Sequence, residues 1–209
     1  MSAKELLHRY LDPCPLVAII RGVTPDEAEA IGEAIFEAGI RIIEVPLNSP
    51  DPLQSIETLS KRFGDEVLVG AGTVLDPADV GRVWDAGGRL IVSPNTDLEV
   101  VAATVAIDLV SCPGYFTPSE ALGAVQMGAT ALKLFPAEAA TPAVLRAQRA
   151  VLPRNVPILV VGGVKPDLMQ SWIDAGATGF GLGGGLYQPG QSAEETVEKA
   201  RAYVAGLAA

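Results

Sequence analysis

Histidine occurs once, cysteine twice, and aromatic residues make up only 5% of the 209-residue sequence. The lone histidine, His8, has no second imidazole to join and no carboxylates clustered at ligand spacing, so a catalytic metal is not supported. Cys14 and Cys112 lie far apart without a CxxC spacing, and a reducing cytoplasm is the default for such usage. Basic residues are the minority, 15 against 25 acidic, giving a net charge of −10. A nonspecific polyanion partner such as nucleic acid is therefore disfavoured, and a phosphorylated ligand would have to be held locally by backbone N–H groups and a few placed cations. No apolar run approaches the roughly 20 residues of a membrane span. The opening segment MSAKELLHRYLDPCP is charged and has no apolar stretch of the kind a secretory signal needs. These absences predict a soluble, untargeted, cytoplasmic protein that binds neither membrane nor nucleic acid.

What is present is aliphatic and heavily punctuated. Hydrophobic residues make up 49% and charged residues 19%, with 22 Gly and 16 Pro. Such a chain has ample apolar surface to offset the entropy of ordering it, which excludes disorder. No linker or low-complexity tract breaks it, so one domain over 1–209 is expected. A Gly that ends a helix-period segment and is followed at once by the next strand candidate recurs at Gly39, Gly87, Gly128 and Gly176, with spacings of 48, 41 and 48. That is close to twice a βα unit of about 24 residues, and it places a left-handed helix cap at each glycine.

Strands are predicted over 16–21, 40–46, 67–73, 90–94, 109–113, 131–136, 157–162 and 179–183. Helices are predicted over 25–38, 52–63, 77–86, 97–106, 118–127, 142–152, 166–175 and 193–205, with a leader helix over 3–10 closing the bottom. Thr24-Pro25, Asp76-Pro77, Thr117-Pro118 and Thr141-Pro142 each put a capping side chain ahead of proline at the first helical position. Asp12, Asp26, Asp79, Asp97 and Glu120 read as acids at helix starts, complementing the dipole. Eight apolar strands, each followed by a helix, spell a parallel sheet covered on its outer face, and eight units in this length predict a (β/α)8 TIM barrel rather than a doubly wound sheet.

In such a barrel ligands meet the C-terminal ends of the strands, where four polar residues interrupt apolar runs: Arg21 in AIIRG, Glu44 in IIEVP, Thr73 in GAGT and Lys133 in ALKLF. Period-2 alternation puts Lys133 with Ala131 and Phe135, Glu44 with Ile42 and Pro46, and Arg21 with Ile19, so all can point inward. Lys133 then has two readings: a structural ion pair with Glu44, or a Schiff-base lysine. In the second, apolar walls and a nearby Arg21 depress the amine's pKa and free its lone pair for a carbonyl, while Glu44 shuttles protons. Gly162-Gly163 after strand seven and Gly183-Gly184-Gly185 after strand eight are either plain turns or a phosphate cradle, to which a helix N-terminus and Lys165 could add. Cys112 falls near the end of strand five and reads as a small core residue.

These segments carry a resemblance. From about Leu16 to Tyr203, PLVAIIRGVTPDEA, IIEVPLNSP, VGAGTVLDP, LIVSPN, CPGYFTPSEA, ALKLFPAE, VVGGV and GLGGGLY follow in the order seen in the bacterial 2-keto-3-deoxy-6-phospho-sugar-acid aldolases, class I enzymes related to 4-hydroxy-2-oxoglutarate aldolase. The resemblance implies a homotrimeric (β/α)8 barrel that needs no metal or organic cofactor and acts on a phosphorylated keto-deoxy sugar acid and pyruvate. It implies that Lys133 forms the imine and that Glu44, helped by a bound water, is the general acid/base. Arg21 and Thr73 would hold the pyruvate carboxylate, Pro94 and Phe135 would line the pocket, and Gly162, Gly163, Gly183 and Gly184 would cradle the phosphate.

EVPLNSP, with Asn48 and Ser49, is similar to members acting on 2-dehydro-3-deoxy-6-phosphogalactonate, whereas CPGYFTPSEA is more like the phosphogluconate branch. Gly184 stands where many members have Ser. The implied reaction is cleavage of the phosphogalactonate compound to pyruvate and glyceraldehyde 3-phosphate. Its C4 epimer and 4-hydroxy-2-oxoglutarate are alternatives within the class, and a phosphate-binding isomerase or a non-catalytic binding barrel is the alternative outside it.

Overall fold

The computed structural model describes residues 1–207, so the expected range of 1–209 ends two residues beyond the described part. After a leader helix α1 (Ala3–Leu11), strands and helices alternate: β1 (Leu16–Ile19), α2 (Pro25–Glu37), β2 (Ile42–Pro46), α3 (Pro52–Phe63), β3 (Leu68–Gly72), α4 (Pro77–Asp85), β4 (Leu90–Val92), α5 (Leu98–Ala106) and β5 (Val110–Cys112). The second half runs β6 (Gly114–Tyr115), α6 (Pro118–Gln126), β7 (Leu132–Leu134), α7 (Pro142–Arg149), β8 (Ile158–Val161), α8 (Met169–Asp174), β9 (Gly179–Leu182) and α9 (Ala193–Ala205). All strand pairs are parallel, in the order β5-β4-β3-β2-β1-β9-β8-β7-β6, and the result is a nearly closed TIM-like barrel.

Nine strands appear where eight are expected because the fifth is broken. Pro113 has no N–H to give the ladder, so β5 pairs with β4 on one side of it and β6 pairs with β7 on the other. The break is also where the barrel closes: the amide of Ala131 donates to the carbonyl of Ser111 at 3.0 Å, and that of Lys133 to Pro113 at 2.9 Å.

The four marker glycines all take left-handed φ, at 106°, 89°, 97° and 103° for Gly39, Gly87, Gly128 and Gly176. Each lets a helix stop and the next strand start after a connection of only four or five residues. The helix starts hold as well. Asp76 accepts from the amide of Ala78 at 2.8 Å, Asp97 from that of Glu99 at 2.9 Å, and the Glu120 carboxylate reaches back to the amide of Thr117 at 2.7 Å. Asp12 is an exception: it ends α1 rather than starting a helix, and its carboxylate lies 2.9 Å from Nδ1 of His8. The predicted helix over 166–175 is shorter than expected, a 3-10 turn at Pro166–Leu168 leading into the six residues of α8.

Two apolar layers hold the barrel. Outside it, Ile43, Ile56, Leu59, Leu132 and Phe180 belong to the layer between strands and helices. Inside, Val17, Ile19, Ile42, Leu68, Leu90, Val110, Ala131 and Leu159 form a second cluster, and Leu7 of α1 plugs its floor at 1% exposure. Burying a leucine of that kind contributes about 1.5–3 kcal/mol. The floor is thus sealed by apolar side chains, and polar groups collect at the other end.

Candidate active site

Glu44 and Lys133 stand on the inward faces of β2 and β7, one step above Ile42 and Ala131, as the alternation predicts. Both are buried, at 1% and 5% exposure, and both look into the apolar interior beside Cys112. They are not joined as an ion pair. Among the described residues no salt bridge includes either, and Oε2 of Glu44 has no hydrogen-bond partner. The reading of Lys133 as half of a structural ion pair therefore fails. Its ammonium instead lies 4.9 Å from the centroid of the Phe135 ring.

Burial pushes the Glu44 carboxyl up to about 7, against the opposing pull of Lys133 and Arg21. A carboxyl poised there can both take and give a proton near neutrality. The space it needs comes from Gly72: a Cβ at that position would collide with Oε2 of Glu44. The Cys112 thiol is pushed up to about 12 by burial, so it is a neutral wall and not a nucleophile, which agrees with its reading as a core residue.

Arg21 and Thr73 lie just past the ends of β1 and β3 rather than within them. Arg21 is an exposed residue in the turn after the strand, and it bridges two neighbouring loops. One guanidinium nitrogen donates to Thr73 Oγ1 at 3.3 Å and the other to Oδ1 of Asn48. Thr73 is held at φ 54°, a left-handed conformation that costs a non-glycine residue about 1 kcal/mol or more. Asn48 and Ser49, distinctive in the sequence only as markers of a branch, turn out to brace this corner. Ser49 Oγ accepts from the amide of Gly22 at 2.9 Å, which fixes the β1 turn against the β2 loop.

Above the pair lies a cavity of about 680 Å³ lined by Arg21, Pro94, Lys133, Phe135, Glu138, Gly162, Gly163, Lys165, Gly183 and Gly184, among others. Every sequence-predicted site residue except Glu44 and Thr73 therefore borders one opening. Glu44 sits beneath it, and Thr73 joins it through Arg21. Gly162 and Gly163 have φ of 111° and 61°, conformations that favour glycine. Gly183 and Gly184 carry no such demand, since a Cβ at either would meet nothing within 4 Å; a serine would fit at 184, and the missing hydroxyl is not forced by space.

The helix N-terminus expected beside these glycines opens as a 3-10 turn: the helical run after β8 starts at Pro166 and becomes α8 at Met169. Gly183 accepts from the amides of Leu186 and Tyr187 in a single turn, α9 starts only at Ala193, and Lys165 precedes a 3-10 turn. An anion here would rely on backbone N–H groups, on Lys165 and on the first turn of the helical run it precedes. One lining residue, Glu138, was not singled out by the sequence; KLFPAE contains it but gives no signal of which way it turns.

The sequence matches the KDPG and KHG aldolase family over residues 7–200. The chain belongs to this family. It is 47% identical over 190 residues to the 2-dehydro-3-deoxy-6-phosphogalactonate aldolase of Escherichia coli K12, covering 91% of this chain and 93% of that one. Among solved structures, a native KDPGal structure superposes with TM-score 0.91 at 46% identity, covering 93% and 94% of the two chains. A KDPG aldolase from Legionella pneumophila, with pyruvate captured at low pH as a covalent carbinolamine intermediate, superposes with TM-score 0.82 at 26% identity over 98% of each chain. Among the described residues no three His, Cys, Asp or Glu side chains cluster as a metal site would, and no helix is long and apolar enough to cross a membrane.

Proposed function

We propose that the protein is a class I aldolase that reversibly cleaves 2-dehydro-3-deoxy-6-phosphogalactonate to pyruvate and glyceraldehyde 3-phosphate. The observation that carries the reading is the placement of Lys133 and Glu44, an amine and a carboxyl that are both buried and line one apolar interior without being paired. The Lys133 amine attacks the C2 ketone, the carbinolamine loses water, and an iminium forms. Glu44 takes the proton of the C4 hydroxyl as the C3–C4 bond breaks, and the bonding electrons pass into the iminium to give an enamine. The aldehyde leaves, C3 is reprotonated, and hydrolysis of the imine releases pyruvate and the free lysine.

Arg21 and Thr73 hold the carboxylate in this scheme, Pro94 and Phe135 wall the ketone, and the amides around Gly162, Gly163, Gly183 and Gly184 receive the phosphate. The choice of C4 epimer follows the PLNSP segment, anchored on Arg21 and Gly22, and the name borne by the 47% identical relative. The proposal extends to a homotrimer in the cytoplasm, supported by the family resemblance and by two free, buried cysteines.

Borohydride reduction in the presence of pyruvate should add a stable mass to the peptide holding Lys133 and leave Lys133→Arg unmodified. An unmodified wild-type protein removes the aldolase reading in favour of an isomerase or a binding barrel. Comparing kcat/KM on the two C4 epimers then settles which is preferred.

A further inference from the structure

Glu138 belongs to the 3-10 turn Ala137–Ala139 that follows β7, and its side chain crosses the cavity mouth to the turn after β8. A Cβ on Gly162 would collide with its Oε2, and one on Gly163 would come within 2.7 Å of its Cγ and 3.3 Å of its Oε1. The two glycines thus lie directly beneath a carboxylate. Among the described residues no ion pair or side-chain hydrogen bond neutralises that carboxylate, and the residue is exposed. The turn it covers is the one proposed to receive the substrate phosphate.

We infer that Glu138 is a specificity-determining residue: its carboxylate, laid on the Gly162–Gly163 turn, weakens the grip on a phosphate group and so narrows the preference for phosphorylated over unphosphorylated substrates. This rests on the proposed aldolase reading for the identity of the substrate. The charge inventory at this end of the cavity supports it. Among the described residues Lys165 is the one cation on the β8 turn, Gly184 offers no hydroxyl, and the helical run after β8 opens only as a 3-10 turn. A phosphate dianion arriving there meets a like charge at close range, and even in water two such charges about 5 Å apart repel appreciably. An unphosphorylated substrate, neutral at that end, meets no such opposition.

The test is Glu138→Gln, with Glu138→Ala as a second variant that removes the charge and the shape together. Calorimetric titration with inorganic phosphate should show binding tightened by about three- to thirtyfold in both variants, with the difference shrinking as ionic strength rises from 0.01 to 1 M. In kinetics, the ratio of KM for the phosphorylated substrate to KM for its unphosphorylated counterpart should fall by a similar factor. Unchanged or weakened phosphate binding overturns the inference, as does a parallel rise of both KM values, which would make Glu138 an acceptor for a substrate hydroxyl. Pyruvate trapping on Lys133 in the same preparations separates the two levels: absent trapping defeats the aldolase reading, while the phosphate titration reads Glu138 whether or not the imine forms.

Discussion

Glu44 carries the sharpest consequence at the scale of a single residue. The unfolded chain ionises this carboxyl near 4.5 and the folded chain near 7, so the folded state binds the extra proton between those values. Stability therefore falls as pH rises through that window and is level above it. Glu44→Gln removes the buried charge, so it should raise Tm at pH 8 and do so much less at pH 5, while lowering turnover by roughly 100-fold or more. The kcat/KM profile should lose its inflection near pH 7 in the same variant. Equal Tm shifts at both pH values, or near-normal turnover, would remove Glu44 from both roles. The inward positions of Glu44 and Lys133 were legible from alternation alone, because a strand's period is fixed. The link from Arg21 to Asn48 was not: the partners are 27 residues apart, and only the pairing of β1 with β2 brings the loops together.

Between residues and the whole barrel stand the joints of the βα units. Gly39 and Gly72 show that glycine serves two different ends there. At Gly39 a Cβ would meet nothing within 4 Å, but φ is 106°; at Gly72 the backbone is an ordinary strand and the Cβ would strike Glu44. Gly39→Ala should cost about 1–2 kcal/mol in a denaturation midpoint with turnover intact, since only the backbone is strained. Gly72→Ala should displace Glu44 and abolish most turnover. Equal effects of the two on activity would contradict this division.

The four glycine caps and the Thr-Pro or Asp-Pro starts set most element ends in the sequence, because each is decided by one or two neighbouring residues. Strand ends were overestimated, since a strand stops where its neighbour's ladder stops, and the neighbour is a whole βα unit away. The reach of Glu138 was invisible for the same reason.

For the whole molecule, the fold places an apolar plug at one end and every candidate polar group at the other. Leu75, Leu98 and Phe116, on the segments that follow β3, β4 and β6, remain exposed at 54%, 41% and 37%. Isolated apolar residues on a surface need no partner, but an oligomer would have such surface to cover. Light scattering at tens of micromolar should give three times the 21.7 kDa chain mass; a single-chain mass would remove the homotrimer. The charge of −10 is compatible with an anionic substrate, because the cavity is lined by Arg21, Lys133 and Lys165 against Glu138.

The interrupted fifth strand leaves one unbroken ladder between the strand of the lysine and that of the glutamate. Each half of it serves a different neighbour, with β5 keeping register with β4 and β6 setting Gly114 opposite Lys133. Pro113 decouples the two, and its carbonyl still anchors the amide of Lys133. A small slip in stagger passing outward through β3 and β4 ends at that joint, whereas the route from β2 to β7 through β1, β9 and β8 is paired throughout. The barrel is thus a ring with one built-in expansion gap, and the carboxyl of Glu44 and the amine of Lys133 keep their spacing around its unbroken side.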